Sequence, residues 1–290
     1  MLEQKIKPYI PIFLRKVFRI MINYFQRIFR WIIILSEMRG VTIVDQMKLM
    51  VSALFSPVSS LKNLLQWQNP VLLFDTSVKV FKNGMFNIRA FSDDLWHVLP
   101  WSEPNVFKTI QEKLTNESVF VDAGANIGVY TILASMLIGD KGKVLAIEMI
   151  PETATILEKH VNLNKCINVN IKNKALSDIG DQSVIAFVPK NKYGMASIRN
   201  NYDHHEVEKV SVKTATLDEI LMPYSSIDLL KLDIEGAELM ALNGCKASLT
   251  KINSIIFESH TEAEDIILFL KSNGFRIDPL SGKDMLAVKI

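Results

Sequence analysis

The stretch from Val119 to Thr131 constrains the fold of this chain more than any other. It reads VFVDAGANIGVYT, in which an apolar run leads into a turn with glycines at 124 and 128. A β-branched and aromatic run before such a turn indicates the first strand of a doubly wound sheet, whose ligands bind beyond the carboxyl ends of the strands. Gly124 and Gly128 let the backbone approach a ligand closely or adopt torsions that a side chain disfavours. We therefore expect a ligand at this turn, beside the carboxylate of Asp122.

The turn differs from the two common nucleotide-binding loops. A dinucleotide loop requires Gly-x-Gly-x-x-Gly, but Asn126 stands two residues after Gly124, and a phosphate-binding loop requires a Gly-Lys-Ser/Thr that this turn lacks. The turn therefore argues against a nicotinamide oxidoreductase. Because it carries an acid and no base, it disfavours a polyphosphate and tolerates a cation, such as the sulfonium of S-adenosylmethionine. A tight strand–helix connection without a ligand is the alternative.

A second strand ending in an acid supports the cofactor interpretation. Residues 143–148 read KVLAIE, and Pro151 and Glu152 then suit the first turn of a helix. An acid at the end of the second strand, about 20 residues past the glycine turn, is placed to accept hydrogen bonds from both ribose hydroxyls. The sequence therefore predicts that Glu148 binds the cofactor, and the alternative is a solvated carboxylate at a strand end.

Four motifs in this order resemble the signature of the FkbM family of S-adenosylmethionine-dependent methyltransferases. They are Asp122-Ala-Gly-Ala-Asn-Ile-Gly128, Glu148-x-x-Pro151, Leu217-Asp218 and Lys231-Leu-Asp-Ile-Glu-Gly-Ala-Glu238, and the resemblance runs from about residue 86 to 290. It implies a class I methyltransferase fold, S-adenosylmethionine as cofactor, and mostly O-methylation of hydroxyls on sugars or other small molecules. The cofactor-binding residues that it implies are Asp122, Gly124, Ala125, Asn126, Gly128 and Glu148. In methyltransferases of this shape, Ala175 and Leu176 would lie near the adenine, and an ordinary loop is the alternative there.

Alternating strand and helix patterns from residue 118 onward indicate a mostly parallel sheet with helices on both faces. The fold class we predict is α/β, a class I methyltransferase-like (Rossmann-type) doubly wound sheet with an antiparallel C-terminal strand, preceded by a helical N-terminal region and a β-hairpin. The expected strands are 119–122, 143–148, 168–172, 227–233 and 252–258, with 183–188 and 207–214 as an insertion and 275–277 and 284–290 as the finish; the expected helices are 127–138, 152–163, 237–246 and 262–273. We expect three parts of the chain: a helical N-terminal region at 1–68, a β-hairpin and linker at 69–104, and the cofactor-binding domain at 105–290.

The N-terminal region is basic and amphipathic. Residues 1–40 hold eight Lys or Arg against two acids, whereas the whole chain has a net charge of only +2, which gives no global case for nucleic acid. Residues 8–35 predict one helix with a basic polar stripe and a wide apolar face, too interrupted to span a bilayer and without the features of a signal peptide. We expect peripheral membrane contact through 8–35 of a cytoplasmic protein, and docking on a protein surface is the alternative.

Two features separate the N-terminal helix from the sheet. Segments 44–55 and 58–67 predict short helices broken at Ser56-Pro57, and their function cannot be inferred from the sequence. Residues 77–82 and 85–90 then predict a β-hairpin around Asn83-Gly84.

The candidate catalytic residues follow the fourth and fifth strands. Asp233 and Glu235 end the fourth strand, which lies next to the first in such sheets, and His260 follows the fifth. An alcohol must lose its proton during methyl transfer, so a carboxylate or imidazole at this position predicts a general base. No metal site is predicted, because His204 and His205 lack a third ligand at usable spacing and the two cysteines are far apart.

The sequence therefore predicts an S-adenosylmethionine-dependent methyltransferase acting on a hydroxyl of a sugar, glycan, glycolipid or other small molecule. The alternative is a non-catalytic cofactor-binding or membrane-associated scaffold on the same fold. The acceptor itself is not encoded in any recognisable motif.

Overall fold

The computed structural model describes residues 12–59, 70–80, 84–99, 101–199, 206–258 and 262–290. The chain divides into two compact units. Residues 1–81 with 87–99 form the N-terminal unit, and residues 82–86 with 100–290 form the C-terminal unit. The division into three parts that the sequence suggested remains a prediction.

The N-terminal unit is built from two long helices and a small antiparallel sheet. Its elements are α1 (Ile12–Glu37), β1 (Met38–Gly40), α2 (Ile43–Ser59), β2 (Thr76–Val80), the end of β3 (Gly84–Ile88) and α3 (Asp94–His97). The sheet has the order β1–β2–β3. The two strands of the predicted hairpin are thus confirmed, while residues 81–83 of its turn lie outside the described part of the chain.

The predicted helix break at Ser56-Pro57 is wrong. Helix α2 runs without interruption from Ile43 to Ser59. A proline removes one backbone donor and crowds the preceding turn, and the helix accommodates both effects at position 57. The second predicted segment, 58–67, lies mostly outside the described residues.

The predicted helix at residues 8–35 is confirmed from Ile12 onward, but its polar stripe is not uniformly solvated. Arg27 is only 7% exposed, and the guanidinium of Arg30 lies 5.4 Å from the ring centre of Trp96. Burial lowers the pKa of both guanidinium groups. Part of the basic stripe therefore packs on the unit's own core. Among the described helices, none combines the length and the apolar character that crossing a membrane requires.

The C-terminal unit alternates strands and helices as predicted. Its elements, in order, are α4 (Pro104–Lys113), β4 (Val119–Ala123), α5 (Val129–Ile138), β5 (Lys143–Ile147), α6 (Pro151–Leu163), β6 (Val169–Lys172), β7 (Ala175–Leu176), β8 (Ser183–Pro189), β9 (Val207–Ala215), α7 (Leu217–Leu221), β10 (Leu229–Leu232), α8 (Glu238–Asn243), β11 (Ser254–Glu258), α9 (Ala263–Ser272), β12 (Phe275–Ser281) and β13 (Asp284–Lys289). Short 3₁₀ turns lie at 193–195 and 248–251.

Seven strands form the central sheet in the order β12–β13–β11–β10–β4–β5–β6. Strands β11, β10, β4, β5 and β6 pair in parallel, and β13 runs antiparallel to both of its neighbours. The predicted doubly wound sheet with an antiparallel C-terminal strand is thus confirmed. The strand order reverses at β4, so β10 and β5 flank it and their carboxyl ends open onto one crevice.

The inner strands β4, β5, β10 and β11 are buried because their sequences are largely apolar. All four residues of β10 are buried, and the core around it includes Val121, Leu145, Ile255 and Phe257. A strand covered by helices on both faces is expected to be a continuous hydrophobic run. Lys231 is therefore an exception that calls for an explanation within the site.

A second, three-stranded sheet is inserted after β6. It has the order β7–β9–β8, and β8 and β9 pair antiparallel. The sequence predicted the two β segments, 183–188 and 207–214, and the structure adds their pairing. Residue Ala186 of β8 and residue Val212 of β9 share a small core with Ala175 and Ile150. The insertion thereby fixes β7 beside the end of β5.

Candidate cofactor and active site

The glycine turn is held by contacts with the ends of the neighbouring strands. The N–H groups of Gly124 and Ala125 both donate to the carbonyl oxygen of Ile147 at 3.0 Å. Gly124 has φ +80°, and a Cβ there would lie 1.8 Å from the carbonyl oxygen of Asp233. Gly128 has φ +92°, and a Cβ there would lie 2.4 Å from Cδ1 of Leu157. Gly124 is therefore required by its contact with backbone, whereas Gly128 is favoured by its positive φ, since the Leu157 methyl group can shift.

Glu148 lies at the end of β5, with its carboxylate directed at the turn. Its Oε2 accepts a hydrogen bond from the N–H of Asn126 at 2.9 Å, and its Oε1 accepts one from the N–H of Ile150 at 2.8 Å. The residue is 7% exposed. Burial raises the pKa of Glu148 to about 7, although the two N–H donors oppose that shift. Each oxygen retains a lone pair for a ligand donor.

Asp122, at the end of β4, is a buried carboxylate with one oxygen satisfied. Its Oδ2 accepts from the hydroxyl of Thr131 at 2.6 Å, and its Oδ1 has no hydrogen-bond partner among the described residues. Burial raises the pKa of Asp122, with the nearby positive charge of Lys231 acting in the opposite direction. A second buried acceptor atom, Oδ1 of Asn126, is likewise unsatisfied within the described part of the structure. Such groups are rare in native proteins and indicate a place for a ligand or ion.

A pocket opens at these strand ends. It has about 520 Å³ of empty volume, part of it open to solvent, within the roughly 300–1,000 Å³ range of small-molecule sites. Its walls combine the strand ends, β7 and the segment after β8. The lining residues are Gly124, Asn126, Ile147, Glu148, Met149, Lys174, Ala175, Leu176, Tyr193, Gly194, Ala196, Ile198, Asp233, Ile234, Glu235 and Ala237.

The structure brings most of the predicted site residues together at this pocket. Seven of them line it: Gly124, Asn126, Glu148, Ala175, Leu176, Asp233 and Glu235. Asp122, Ala125 and Gly128 belong to the same turn but do not form part of the lining. His260 lies outside the described residues, as do His204 and His205.

Three carboxylates converge beside the pocket. One oxygen each from Asp233, Glu235 and Glu258 lies within 4.8 Å of the others. The carboxylate of Asp233 is 29% exposed, and its Oδ2 accepts a hydrogen bond from Nζ of Lys231 at 2.8 Å. The ends of β10 and β11 thus form an acidic surface at the pocket mouth, where a hydroxyl group could donate a hydrogen bond. The three oxygens also have the spacing of a cation site.

Lys231 is a site residue that sequence reasoning missed. The residue is 4% exposed, its Nζ lies 5.0 Å from the ring centre of Tyr130, and Asp122 stands opposite it in the β4–β10 register. Burial by itself lowers the pKa of Lys231, but the carboxylates of Asp233, Asp122 and Glu103 outweigh it, and the pKa ends above its usual value. The signal was available, because a lysine inside an apolar strand needs a buried partner.

The buried network continues from the lysine to Tyr130. The hydroxyl of Tyr130 donates to Oε2 of Glu103. Burial, followed by the charge of Glu103, raises the pKa of this tyrosine well above its usual value. Asp284 at the start of β13 belongs to the same electrostatic group, since burial and the charges of Glu103 and Asp233 raise its pKa to about 6. The sequence contained no pattern that linked these distant positions.

The turn after β10 is strained and braced. Glu235 has φ +54°, in the left-handed region that non-glycine residues seldom occupy, and its carbonyl oxygen accepts from the hydroxyl of Ser197 at 2.8 Å. Glu238, in contrast, is structural: its Oε1 accepts from the N–H groups of Ile234 and Gly236 at 3.0 and 3.1 Å. The acid in the first turn of α8 therefore shapes the loop that positions Glu235.

These residues fit a nucleoside cofactor that carries positive charge. Buried carboxylates at Asp122 and Glu148 can accept from ammonium and hydroxyl donors, and Ala175 and Leu176 offer an apolar wall for a base. The backbone of the turn has no space for a side chain at position 124. A phosphate would face two carboxylates at this end of the pocket, which disfavours it electrostatically.

Comparison with known proteins gives the same family over residues 122–277, within the range of the sequence resemblance. A family model described as the methyltransferase FkbM domain matches residues 122–277, more than half of the 290-residue chain. The chain is 26% identical over 175 residues to the hexuronic acid methyltransferase AglP of Haloferax volcanii, covering 58% of this chain and 67% of that protein. It is 28% identical over 160 residues to the methyltransferase sdnD of Sordaria araneosa, covering 45% of this chain and 61% of that protein.

A solved structure of an S-adenosylmethionine-dependent O-methyltransferase from Thermotoga maritima is 14% identical, with a TM-score of 0.42, and the match covers 71% of this chain and 73% of that one. The family model begins at Asp122 in the glycine turn and extends through the strands that build the pocket. The chain therefore belongs to the FkbM family of methyltransferases, and its cofactor is S-adenosylmethionine.

Proposed function

We propose that this methyltransferase methylates a hydroxyl oxygen of a sugar, a glycan or another small molecule. The observation that carries the proposal is the position of Asp233, which lines the pocket at the end of β10 and touches the glycine turn through its backbone. The name of one relative, a hexuronic acid methyltransferase, supports a sugar as the acceptor.

The cofactor would bind along the strand ends. Glu148 would accept hydrogen bonds from the ribose hydroxyls, and the unsatisfied oxygen of Asp122 would accept from an ammonium donor directly or through water. Ala175 and Leu176 would contact the adenine. When bound, S-adenosylmethionine supplies a methyl group activated by its sulfonium. The chain's own task is then to orient an acceptor oxygen toward the pocket and exclude water, and orientation of this kind provides a large part of the acceleration of such reactions.

Proton removal is assigned to the acidic surface at the pocket mouth. Asp233 would accept the proton of the acceptor hydroxyl, with Glu235 orienting the hydroxyl from the next turn. A positioned base contributes about 10²–10⁴-fold to such a step. Lys231 holds the Asp233 carboxylate in place from the buried side. His260, outside the described residues, remains a second proposed base.

The experiment that tests this proposal measures methyl transfer from labelled S-adenosylmethionine to three classes of acceptor. Hexuronic acids and neutral sugars offer free hydroxyls, whereas amino sugars with blocked hydroxyls offer only an amino group. The proposal expects label on a hydroxyl oxygen, detected as a base-stable methyl ether. Transfer only to amino groups or to carboxylates, the latter giving base-labile esters, would overturn O-methylation of a hydroxyl. The amino-blocked and carboxyl-reduced forms of one sugar serve as matched acceptors.

The competing candidate is a non-catalytic protein that binds the cofactor as a scaffold. Both candidates predict calorimetric binding of S-adenosylmethionine that is lost in Glu148→Ala. Only the enzyme consumes the cofactor in the presence of an acceptor. Peripheral membrane contact through residues 8–35 is part of the proposal, and it rests on the basic amphipathic sequence of that region.

A further inference from the structure

Helix α2 presents its apolar residues to solvent. Between residues 43 and 55, seven side chains are exposed, and all seven are apolar. Ile43 is 82% exposed, Met47 62% and Leu54 68%. They recur at steps of three and four, so they form one continuous face of the helix. Single exposed apolar residues are ordinary, but a contiguous apolar face indicates an interaction surface.

The polar residues of α2 point the other way and bind the protein itself. Asp45 accepts hydrogen bonds from Thr42 and from the N–H of Ser77, and Ser52 accepts from the N–H of Leu73. Lys48 donates to the carbonyl oxygen of Asp75 at 2.9 Å. The helix is therefore inverted with respect to a helix of a water-exposed surface, which buries apolar residues and exposes polar ones.

Helix α1 shows a similar inversion around Arg27. Phe25, Phe29 and Ile32 are 60–63% exposed on one face, whereas Arg27 is 7% exposed on the opposite face. The two helices pack against each other within the N-terminal unit. Both helices therefore direct many apolar side chains away from their own unit, while Trp31 and Ile34 of α1 and Leu49 of α2 are buried within it.

We propose that α1 and α2 together form a lipid-embedding surface that inserts into one leaflet of an anionic bilayer, with the apolar face of α2 as a principal insertion element. This extends the membrane contact proposed for residues 8–35 to a segment whose role could not be inferred from the sequence. It concerns the N-terminal unit and is independent of which acceptor the C-terminal unit methylates.

The charge of the two helices indicates that the surface binds anionic lipids. The charged side chains that are exposed on the described parts of α1 and α2 are Arg15, Lys16 and Arg19, and all three are basic. A surface helix with apolar residues in the acyl boundary and basic residues near the headgroups has the composition of an in-plane membrane anchor. None of the described helices can span a bilayer, so insertion would be confined to one leaflet.

The first test is co-sedimentation of the full chain with vesicles of phosphatidylcholine alone and of equimolar phosphatidylcholine and phosphatidylserine. We expect binding to the mixed vesicles and weaker binding to the neutral ones. The double variant Met47→Glu, Leu54→Glu should lower the partition coefficient at least roughly tenfold on mixed vesicles. The matched control is Met222→Glu, Leu268→Glu, which alters exposed apolar residues of the C-terminal unit and should bind like the wild type.

A depth measurement separates insertion from headgroup attraction. Cys166 and Cys245 are both buried, so a new cysteine at Met50 can be labelled selectively with an environment-sensitive fluorophore. We expect a blue shift on vesicle addition and quenching by brominated acyl chains, with neither effect for the same label at Met222→Cys. Circular dichroism of each variant confirms that the change leaves the fold intact.

Three outcomes would overturn the proposal. Equal vesicle binding by Met47→Glu, Leu54→Glu and the wild type would exclude insertion through α2. Binding without quenching at position 50 would reduce the contact to electrostatic attraction. Absence of vesicle binding, together with a dimer in solution that the double variant dissociates, would assign the surface to a second copy of the chain.

Discussion

Nζ of Lys231 lies 2.8 Å from Oδ2 of Asp233, and the two residues stand on opposite sides of the boundary between core and pocket. The lysine is 4% exposed within β10, whereas the Asp233 side chain is 29% exposed at its end. A buried cation thereby anchors a carboxylate that solvent and substrate can reach. Three of the predictions below depend on this pair.

Replacing Asp233 by asparagine should abolish most of the activity. We expect kcat to fall by about 10²–10⁴-fold, because the amide cannot accept the acceptor proton, while calorimetric affinity for S-adenosylmethionine stays near that of the wild type. Asp278→Asn, which removes an exposed carboxylate paired with Arg276, is the control. Wild-type turnover by Asp233→Asn would remove this residue as the base.

Replacing Lys231 by methionine should both destabilise the protein and alter its pH–rate profile. The change removes the ion pair with Asp233 and the positive charge opposite Asp122, so the free energy of unfolding should fall by on the order of 3 kcal/mol. The acid limb of the rate should move to higher pH, since a carboxylate without a nearby cation is protonated more easily. Urea denaturation and a pH–rate series measure the two effects.

The matched change Lys190→Met removes a fully exposed ion pair with Glu206 and should alter neither quantity. If Lys231→Met unfolds too easily to assay, Lys231→Arg keeps the positive charge and should retain the wild-type pH profile. An unshifted profile in a folded Lys231→Met variant would contradict the positioning role.

Cofactor affinity should depend on pH through Glu148. Its pKa is raised to about 7, so the carboxylate becomes protonated as the pH falls from about 8 to about 6, and a protonated carboxyl cannot accept from both ribose hydroxyls. We therefore expect affinity for S-adenosylmethionine to decrease with decreasing pH over this range. Calorimetry on Glu148→Gln should show weak binding with a flatter pH dependence, and an equally steep dependence would assign the titration to another group.

A pair of glycine substitutions should separate steric from torsional effects. Gly124→Ala would place a Cβ 1.8 Å from the carbonyl oxygen of Asp233, whereas Gly274→Ala, at a similar φ of +83°, meets nothing within 4 Å. The second change should cost only about 1–2 kcal/mol of stability and leave cofactor binding intact. The first should eliminate cofactor binding as well, as calorimetry and urea denaturation would show. Equal behaviour of the two variants would contradict the close approach at position 124.

Chelation of divalent metals should leave turnover unchanged. The oxygens of Asp233, Glu235 and Glu258 have the spacing of a cation site, but the Lys231 ammonium already supplies positive charge to Asp233 at 2.8 Å. We expect equal kcat with and without EDTA after extensive dialysis. A rate that falls with EDTA and returns with added magnesium would show that a metal ion, rather than the lysine alone, organises the acids.

Local patterns in the sequence determined the core of the fold because each strand is short, apolar and bounded by turn residues. The strands of the central sheet, the two β segments of the insertion and the antiparallel C-terminal finish follow from hydrophobic periodicity together with Gly124 and Gly128. The positions of Gly124, Glu148 and Asp233 at the ends of adjacent strands also predicted that these residues meet, because parallel strands bring their carboxyl ends to one edge of the sheet.

The helix break assigned to Pro57 was wrong for a physical reason. Sequence reasoning treated the proline as a terminator, although a proline removes only one backbone hydrogen bond of a helix. The inward rotation of Arg27 was also missed, because an amphipathic pattern defines two faces without stating which one meets the protein.

The sequence by itself determined the family, the cofactor and the parallel sheet, because these depend on residues that are close in the chain or at equivalent strand ends. Only the tertiary structure decided that buried Lys231 and half-buried Tyr130 and Glu103 form one electrostatic network, since their proximity arises from the packing of α4 and α5 against the sheet. It also decided that α2 turns its polar residues inward. Side-chain orientation depends on partners distant in sequence, such as Ser77 for Asp45, and periodicity contains no information about them.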